Sequence, residues 1–150
     1  MAEDNNGKIK AIDLAKYIIN TSPRRMSNLE LQKTMYFVEL DYRKRNNEQR
    51  LIRDKFKAWQ YGPVVPEVYE EYRKYGSDLI DRTGENIVLG IDTNVIDRSI
   101  NRCSNRKSWE LVEESHRSDG AWQKKIDNGG SLGDTIEQNL ITEEAEKYGR

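Results

Sequence analysis

The sequence predicts a mainly α-helical domain with a minor β component. In this α+β arrangement, several helices pack compactly around a short antiparallel strand pair or hairpin. Three observations predict it. Apolar residues recur at spacings of three and four over most of the chain. A capping box marks the start of one strongly apolar helix. A loosely alternating segment, residues 56–61, runs into a corner fixed by Gly62, Pro63 and Pro66. The 150 residues suffice for one domain with a real hydrophobic core. The chain therefore reads as a single domain over residues 1–150, with its core over about residues 9–148.

Residues 1–8 are polar and are expected to be flexible. A first helix is expected over residues 10–20, with Ile12, Ala15, Ile18 and Ile19 inward, followed by the connector Thr21-Ser22-Pro23-Arg24-Arg25. In Ser27-Asn28-Leu29-Glu30, Ser27 can accept from the amide of Glu30 while Glu30 reaches back to the amide of Ser27. Leu31, Met35, Val38 and Tyr42 follow at helical spacing, flanked by Leu29, Tyr36, Phe37 and Leu40. So broad an apolar arc makes this helix central and covered on more than one side.

Residues 56–61 read as a short strand or extended segment with one buried face. Gly62 can take backbone angles that other residues avoid, and Pro63 fixes its own. Val65 precedes Pro66 and should be extended, while Pro66 suits the first position of a helix. Val65, Val68, Tyr69, Tyr72 and Tyr75 then form an apolar stripe that Gly76 ends. The corner has two readings. It is a strand-to-helix joint with an aromatic core, or a joint that also shapes a recognition surface, since Tyr and Trp serve both purposes.

Residues 81–86 are turn-like, and residues 87–91 are expected to form a short strand pairing with segment 55–60. Asp92 or Thr93 should cap a helix carrying Val95, Ile96, Ser99, Ile100 and Cys103 inward. Ser108 should cap another, residues 109–116, with Trp109, Leu111, Val112 and Ser115 on its buried side. Residues 119–122 begin a short helical turn or loop, and residues 128–133 read as flexible. Thr142 is expected to open a final helical segment with acidic residues near its start, as the helix dipole favours. There is no internal repeat or low-complexity tract.

Composition narrows the function classes. Charged residues make up 34% of the chain, yet three Trp, eight Tyr and two Phe are too many for a simple disordered chain. The 25 Lys plus Arg against 26 Asp plus Glu give a net charge of −1, which argues against a general nucleic-acid binder. The exception is positions 41–60, with seven basic residues against three acidic, a net +4. That segment reads as a solvated loop and strand edge, or as an electropositive patch for an acidic partner or phosphate backbone. A single cysteine, Cys103, rules out an intramolecular disulfide and fits a reducing compartment. With no membrane-length apolar run and no secretory leader, the expected location is the cytoplasm, away from membranes.

Catalytic chemistry finds little support. One His and one Cys cannot build a zinc cluster, the carboxylates lack calcium-loop spacing, and no cofactor fingerprint is present. Cys103, His116 and Asp119 could be imagined as nucleophile, base and orienter, but Cys103 falls on an apolar helical face. The simpler reading of His116 is a helix-end residue that hydrogen-bonds locally and packs on Trp122. Residues 21–35 have helix-connector-helix character with a basic Pro23-Arg24-Arg25 connector, but the second helix is too apolar for a groove-reading helix. The chain is expected not to be an enzyme and to use no cofactor or metal.

These residues together resemble the Panacea domain, also called the SocA-like or phage-associated GepA-like family. Ala15, Tyr17 and Ile18 fit its opening helix. Ser27, Asn28, Leu29, Leu31, Gln32, Lys33, Tyr36 and Phe37 fit its "S-N-L-x-L-Q-K-x-x-Y-F" helix. Phe56, Ala58, Trp59, Tyr61, Gly62, Pro63, Val64, Pro66, Val68 and Tyr69 fit its "F-x-A-W-x-Y-G-P-V-x-P-x-V-Y" signature. Leu111, Ser115, His116 and Trp122 resemble a later element, with a longer His-to-Trp spacing than the family pattern. The resemblance spans roughly residues 9–148, and the closing segment is shorter than usual.

The resemblance implies a small, mainly helical domain. It also implies an antitoxin of a bacterial or phage-borne toxin–antitoxin system, neutralising a cognate toxin by direct protein binding. Some members are similar to adaptors that deliver a toxin to a protease. The alternative is a nucleic-acid-binding regulator or phage accessory protein using the basic segment. The expected partner surface takes Trp59, Tyr61 and Tyr69, with Arg43, Lys44, Arg45, Arg53, Lys55 and Lys57 supplying charge. Ser27, Gly62, Pro63, Pro66, His116 and Trp122 are the structural signature.

Overall fold

In a computed structural model, residues 7–148 are described. They form seven α-helices and one hairpin: α1 (Ala11–Thr21), α2 (Asn28–Arg45), β1 (Lys57–Trp59), β2 (Gly62–Val64), α3 (Pro66–Tyr72), α4 (Asn94–Ser104), α5 (Ser108–Ser115), α6 (Ala121–Asp127) and α7 (Gln138–Lys147). The mainly helical fold with a minor antiparallel pair is as the sequence predicts.

The chain is built around α2. Its capping box is present, with Ser27 Oγ accepting from the Glu30 amide at 3.2 Å and Glu30 Oε1 accepting from the Ser27 amide at 2.9 Å. Every residue from Glu30 to Arg43 is buried, because α1, α3, α4, α5, α7 and β2 all pack against this helix. A helix covered on all sides needs no polar face. Its polar side chains are instead matched inside: Gln32 Oε1 accepts from the Val65 amide, Gln32 Nε2 donates to Asn28 Oδ1, and Asn28 Nδ2 donates to the Tyr69 carbonyl. This ladder fixes the hairpin exit and α3 on the first turns of α2.

Helix α1 buries Ala11, Leu14, Ala15, Ile18 and Ile19, while Ile12 is only half-buried. Its N-cap, Lys10, has no side-chain oxygen to offer; Asp54 supplies the cap from across the fold, accepting from the Ala11 amide at 2.8 Å. The tail expected to be flexible, residues 1–8, lies largely outside the described residues. Its end is ordered, however, since Lys8 and Ile9 both donate to the Leu51 carbonyl and Ile9 pairs with Ile52 in a parallel bridge.

Several expectations are corrected. Residues 87–91 form no strand. The partner of β1 is β2, in register Lys57↔Val64 and Trp59↔Gly62. On its other edge, Ala58 and Phe56 exchange backbone hydrogen bonds with residues 133–136. The chain turns back within two residues, Gln60 and Tyr61, and Gly62 takes φ +114°. Closing so short a loop costs less entropy than recruiting a strand thirty residues away. The corner is thus a complete hairpin ahead of α3, rather than one strand meeting a helix.

Helix α4 buries Ile96, Ser99, Ile100 and Cys103 as expected, with Val95 half-buried. Ser108 is the first residue of α5 rather than its cap, and its hydroxyl donates to Glu30 Oε2 at 2.9 Å. Trp109, expected inside, is 61% exposed. Leu111 and Ser115, one turn apart, define the buried face, and Trp109 points about 200° around the helix from Leu111. Helix α7 begins at Gln138, not at Thr142, so its carboxylates lie mid-helix, and Glu144 is buried.

Candidate functional site

The hairpin delivers its residues to the N-terminal half of α2. Trp59 and Tyr69 are half-buried and meet edge-to-face with centroids 5.0 Å apart. The Trp59 carbonyl accepts from Trp122 Nε1 at 2.8 Å, which ties β1 to α6. Trp122 in turn stacks on His116, with centroids 3.9 Å apart and planes 12° from parallel, so the packing expected of His116 is present.

Behind the hairpin lies a compact polar cluster. Lys33 is wholly buried and its ammonium donates to the Pro63 carbonyl at 2.6 Å. Burial alone pushes its pKa down to about 7. A side chain at Gly62 would lie 2.5 Å from Ser115 Oγ and 2.8 Å from Lys33 Nζ, so glycine is required there by contact as well as by its positive φ. Ser115 Oγ donates to the Val112 carbonyl. The His116 pKa is lowered, first by burial and then by the Lys33 charge, against the opposing pull of the Tyr61 backbone. His116 Nε2 is buried with no hydrogen-bond partner among the described residues. The signature residues Gly62, Pro63, His116 and Trp122 therefore converge with Lys33 in one place. Pro66 opens α3, and Ser27 caps the near end of α2.

One helical turn above this cluster, toward the start of α2, the surface opens. Leu29, Tyr61, Ser108, Trp109, Val112 and Glu113 line a largely apolar groove of about 520 Å³. Tyr61 at the hairpin tip is 56% exposed. Its walls are α2, one turn before Lys33, and α5, one turn before Ser115 and His116.

The basic residues expected to join these aromatics are dispersed. Arg43 is buried on the far half of α2, about 15 Å of helix from Lys33. There it pairs with Glu39 at 2.8 Å and bonds Gln138 and Thr142 of α7. Lys44 donates to the Tyr148 carbonyl, and Arg45 is exposed at the end of α2. Arg53 is exposed and donates to the Lys8 carbonyl, Lys55 is exposed, and Lys57 is half-buried within β1. A larger polar cleft, about 680 Å³, lies between the end of α2 and α7. Its Arg43 is already satisfied by Glu39, Gln138 and Thr142, and the facing Glu146 raises the Glu48 pKa.

The imagined nucleophile-base-orienter set does not assemble. Cys103 is buried in α4 and desolvation pushes its thiol up to about 12, while Asp119 is held by Arg117 at 2.7 Å. No cluster of three or more His, Cys, Asp or Glu that could hold a metal occurs among the described residues. No helix among them is long and apolar enough to cross a membrane.

Residues 31–123 match the family described as "Antitoxin SocA-like, Panacea domain", which is well over half of the chain. The chain belongs to this family. The matched span runs from α2 through the start of α6 and holds the hairpin, Lys33, His116 and Trp122 of this Panacea domain. It is shorter than the span of residues 9–148 suggested by the motifs, leaving α1 and α7 outside. No curated protein and no solved structure matches the chain.

Sequence reasoning missed the exposure of Trp109 and the burial of Lys33. The first was readable from the Leu111–Ser115 spacing, which turns Trp109 outward. The second had no signal in composition or periodicity, since a lysine in a helix is ordinarily solvated.

Proposed function

We propose that this Panacea domain is the antitoxin of a bacterial or phage-borne toxin–antitoxin pair and neutralises its toxin by direct protein contact in the cytoplasm. The observation that carries the reading is membership of a SocA-like antitoxin family. The hairpin supports it: a rigid joint presents Tyr61 to solvent beside an open apolar groove. Exposed aromatic anchors on a fixed frame are the usual centre of a protein-binding surface. The scatter of the basic residues at positions 43–57 is the reason a nucleic-acid partner is not preferred, because a phosphate backbone selects a continuous positive stripe.

Co-expression with the product of the adjacent open reading frame tests the reading. Growth arrest by that product alone, relieved when this protein is present and accompanied by a co-purifying complex, is the expected result. A product that is harmless alone, or that stays toxic in the presence of this protein, refutes it.

A further inference from the structure

We infer that the groove between α2 and α5 is the seat for an apolar segment of the protein partner that carries a lysine or arginine beside its anchoring side chain. The inference rests on the antitoxin reading and names the chemistry of the toxin segment that this surface takes.

Three observations carry it. The first is the pair of aromatics. Tyr61 and Trp109 are 56% and 61% exposed and both line the groove. Each brings a large contact area with few rotatable bonds to order, which suits a buried anchor point.

The second is the rigidity of the frame. Ser108 Oγ bonds Glu30 Oε2, the carboxylate that also closes the capping box of α2, so the first turns of α2 and α5 are locked together. Tyr61 is held by the hairpin, whose Gly62 is wedged against Lys33 and Ser115. A groove with fixed walls loses little freedom when filled.

The third is charge. Among the described residues Glu113 is the sole charged one that lines the groove. The other carboxylates of α5 are engaged: Glu114 with Arg106 at 2.6 Å, and Glu110 with the Lys107 amide at 2.8 Å and Arg106 at 3.9 Å. Among the described residues Glu113 takes part in no ion pair. An uncompensated carboxylate on an apolar rim selects a partner cation and repels phosphate. It also disfavours a second copy of this chain. A two-fold self-contact brings two Glu113 carboxylates into one interface whose lining offers no lysine or arginine.

The test uses the full chain and the toxin from the adjacent reading frame, with affinity and growth rescue measured side by side. Trp109→Ala and Tyr61→Ser are each expected to weaken binding by about 30-fold or more, the loss typical of a central aromatic anchor. Far-UV circular dichroism and thermal midpoint should be unchanged, because both side chains are exposed. Glu113→Lys should weaken binding several-fold, and reversal of one lysine or arginine on the toxin to glutamate should restore it. Wild-type neutralisation with all three variants binding as wild type overturns the groove and leaves the antitoxin reading standing. Failure of the wild-type chain to bind or neutralise overturns both. A concentration-dependent homodimer abolished by Trp109→Ala, seen by sedimentation, assigns the groove to a second copy and overturns the inference. Retention of RNA or DNA through the same residues does likewise.

Discussion

Lys33 and Arg43 lie ten residues apart on α2, both buried, and the chain handles their charges in opposite ways. Arg43 is surrounded by partners. Its Nε meets Glu39 Oε2 at 2.8 Å, and its two terminal nitrogens reach Gln138 Oε1, the Gln138 carbonyl and Thr142 Oγ1. Glu39 also accepts from the amides of Leu51 and Ile52, so one ion pair organises the loop after α2 and docks α7. Among the described residues Lys33 has one bond, to the Pro63 carbonyl, and no carboxylate partner. A guanidinium presents five donors in a fixed fork and cannot lose its charge, so burying it demands a full set of acceptors. An ammonium can shed its proton. The Arg43 end of α2 is therefore a permanent fastening, whereas the Lys33 end, next to the groove proposed for the partner, is one whose charge depends on pH.

The largest expected effect comes from breaking the fastened end. Glu39→Ala strands Arg43 as an unpaired buried charge and orphans two amides. The loss should be about 5 kcal/mol or more, enough to leave little folded protein in urea titrations at pH 7. A loss near 1 kcal/mol shows that the pair is not structural.

The next effect belongs to Lys33. Its pKa is 10.5 in a solvated chain and about 7 in the folded one. Between those values the unfolded state holds a proton that the folded state lacks, so unfolding free energy rises with pH across the window, and below pH 7 the whole cost is present. From pH 7 to 9.5 the rise should be about 3 kcal/mol. Lys33→Met should abolish that rise while keeping the fold. Equal slopes for variant and wild type show that Lys33 stays charged when folded, erasing the contrast with Arg43.

The smallest of the three tests the fit around that amine. Gly62→Ala places a methyl group 2.5 Å from Ser115 Oγ and 2.8 Å from Lys33 Nζ at φ +114°. It should cost about 2 kcal/mol and weaken binding of the proposed partner by shifting Tyr61. Stability within about 0.5 kcal/mol of wild type means the hairpin is looser than its contacts imply.

These contrasts mark the limit of what the sequence announces. Local chemistry was legible: the Ser27–Glu30 box, the buried spacing of α1 and α4, Pro66 at a helix start and His116 against Trp122 all follow from neighbours within a few residues. The breadth of apolar residues in α2 announced a central helix. What escaped depends on partners far along the chain. Asp54 caps α1 from 43 residues away, residues 133–136 take the outer edge of β1, and Glu144 reaches Tyr36 across 108 residues. No periodicity encodes such meetings. The candidate site was half legible. Its aromatic corner is plain in the sequence, but Trp109 joins it only through the way α5 is rolled, and the basic residues at positions 43–57 part company because two of them, Arg43 and Arg50, turn inward.

The position of α7 has a consequence for synthesis. Arg43 finds its outer acceptors, and Tyr36 its carboxylate, only on residues 138–144. Arg43 can meet Glu39 within the central helix, but its outer acceptors follow it through the ribosome nearly a hundred residues later. At elongation rates of about 5–20 residues per second, that wait lasts several seconds. Throughout it the nascent chain holds a sticky, half-covered helix that chaperones and proteases can engage. A ribosome stalled before residue 138 releases a polypeptide in which Arg43 and Tyr36 lack these acceptors.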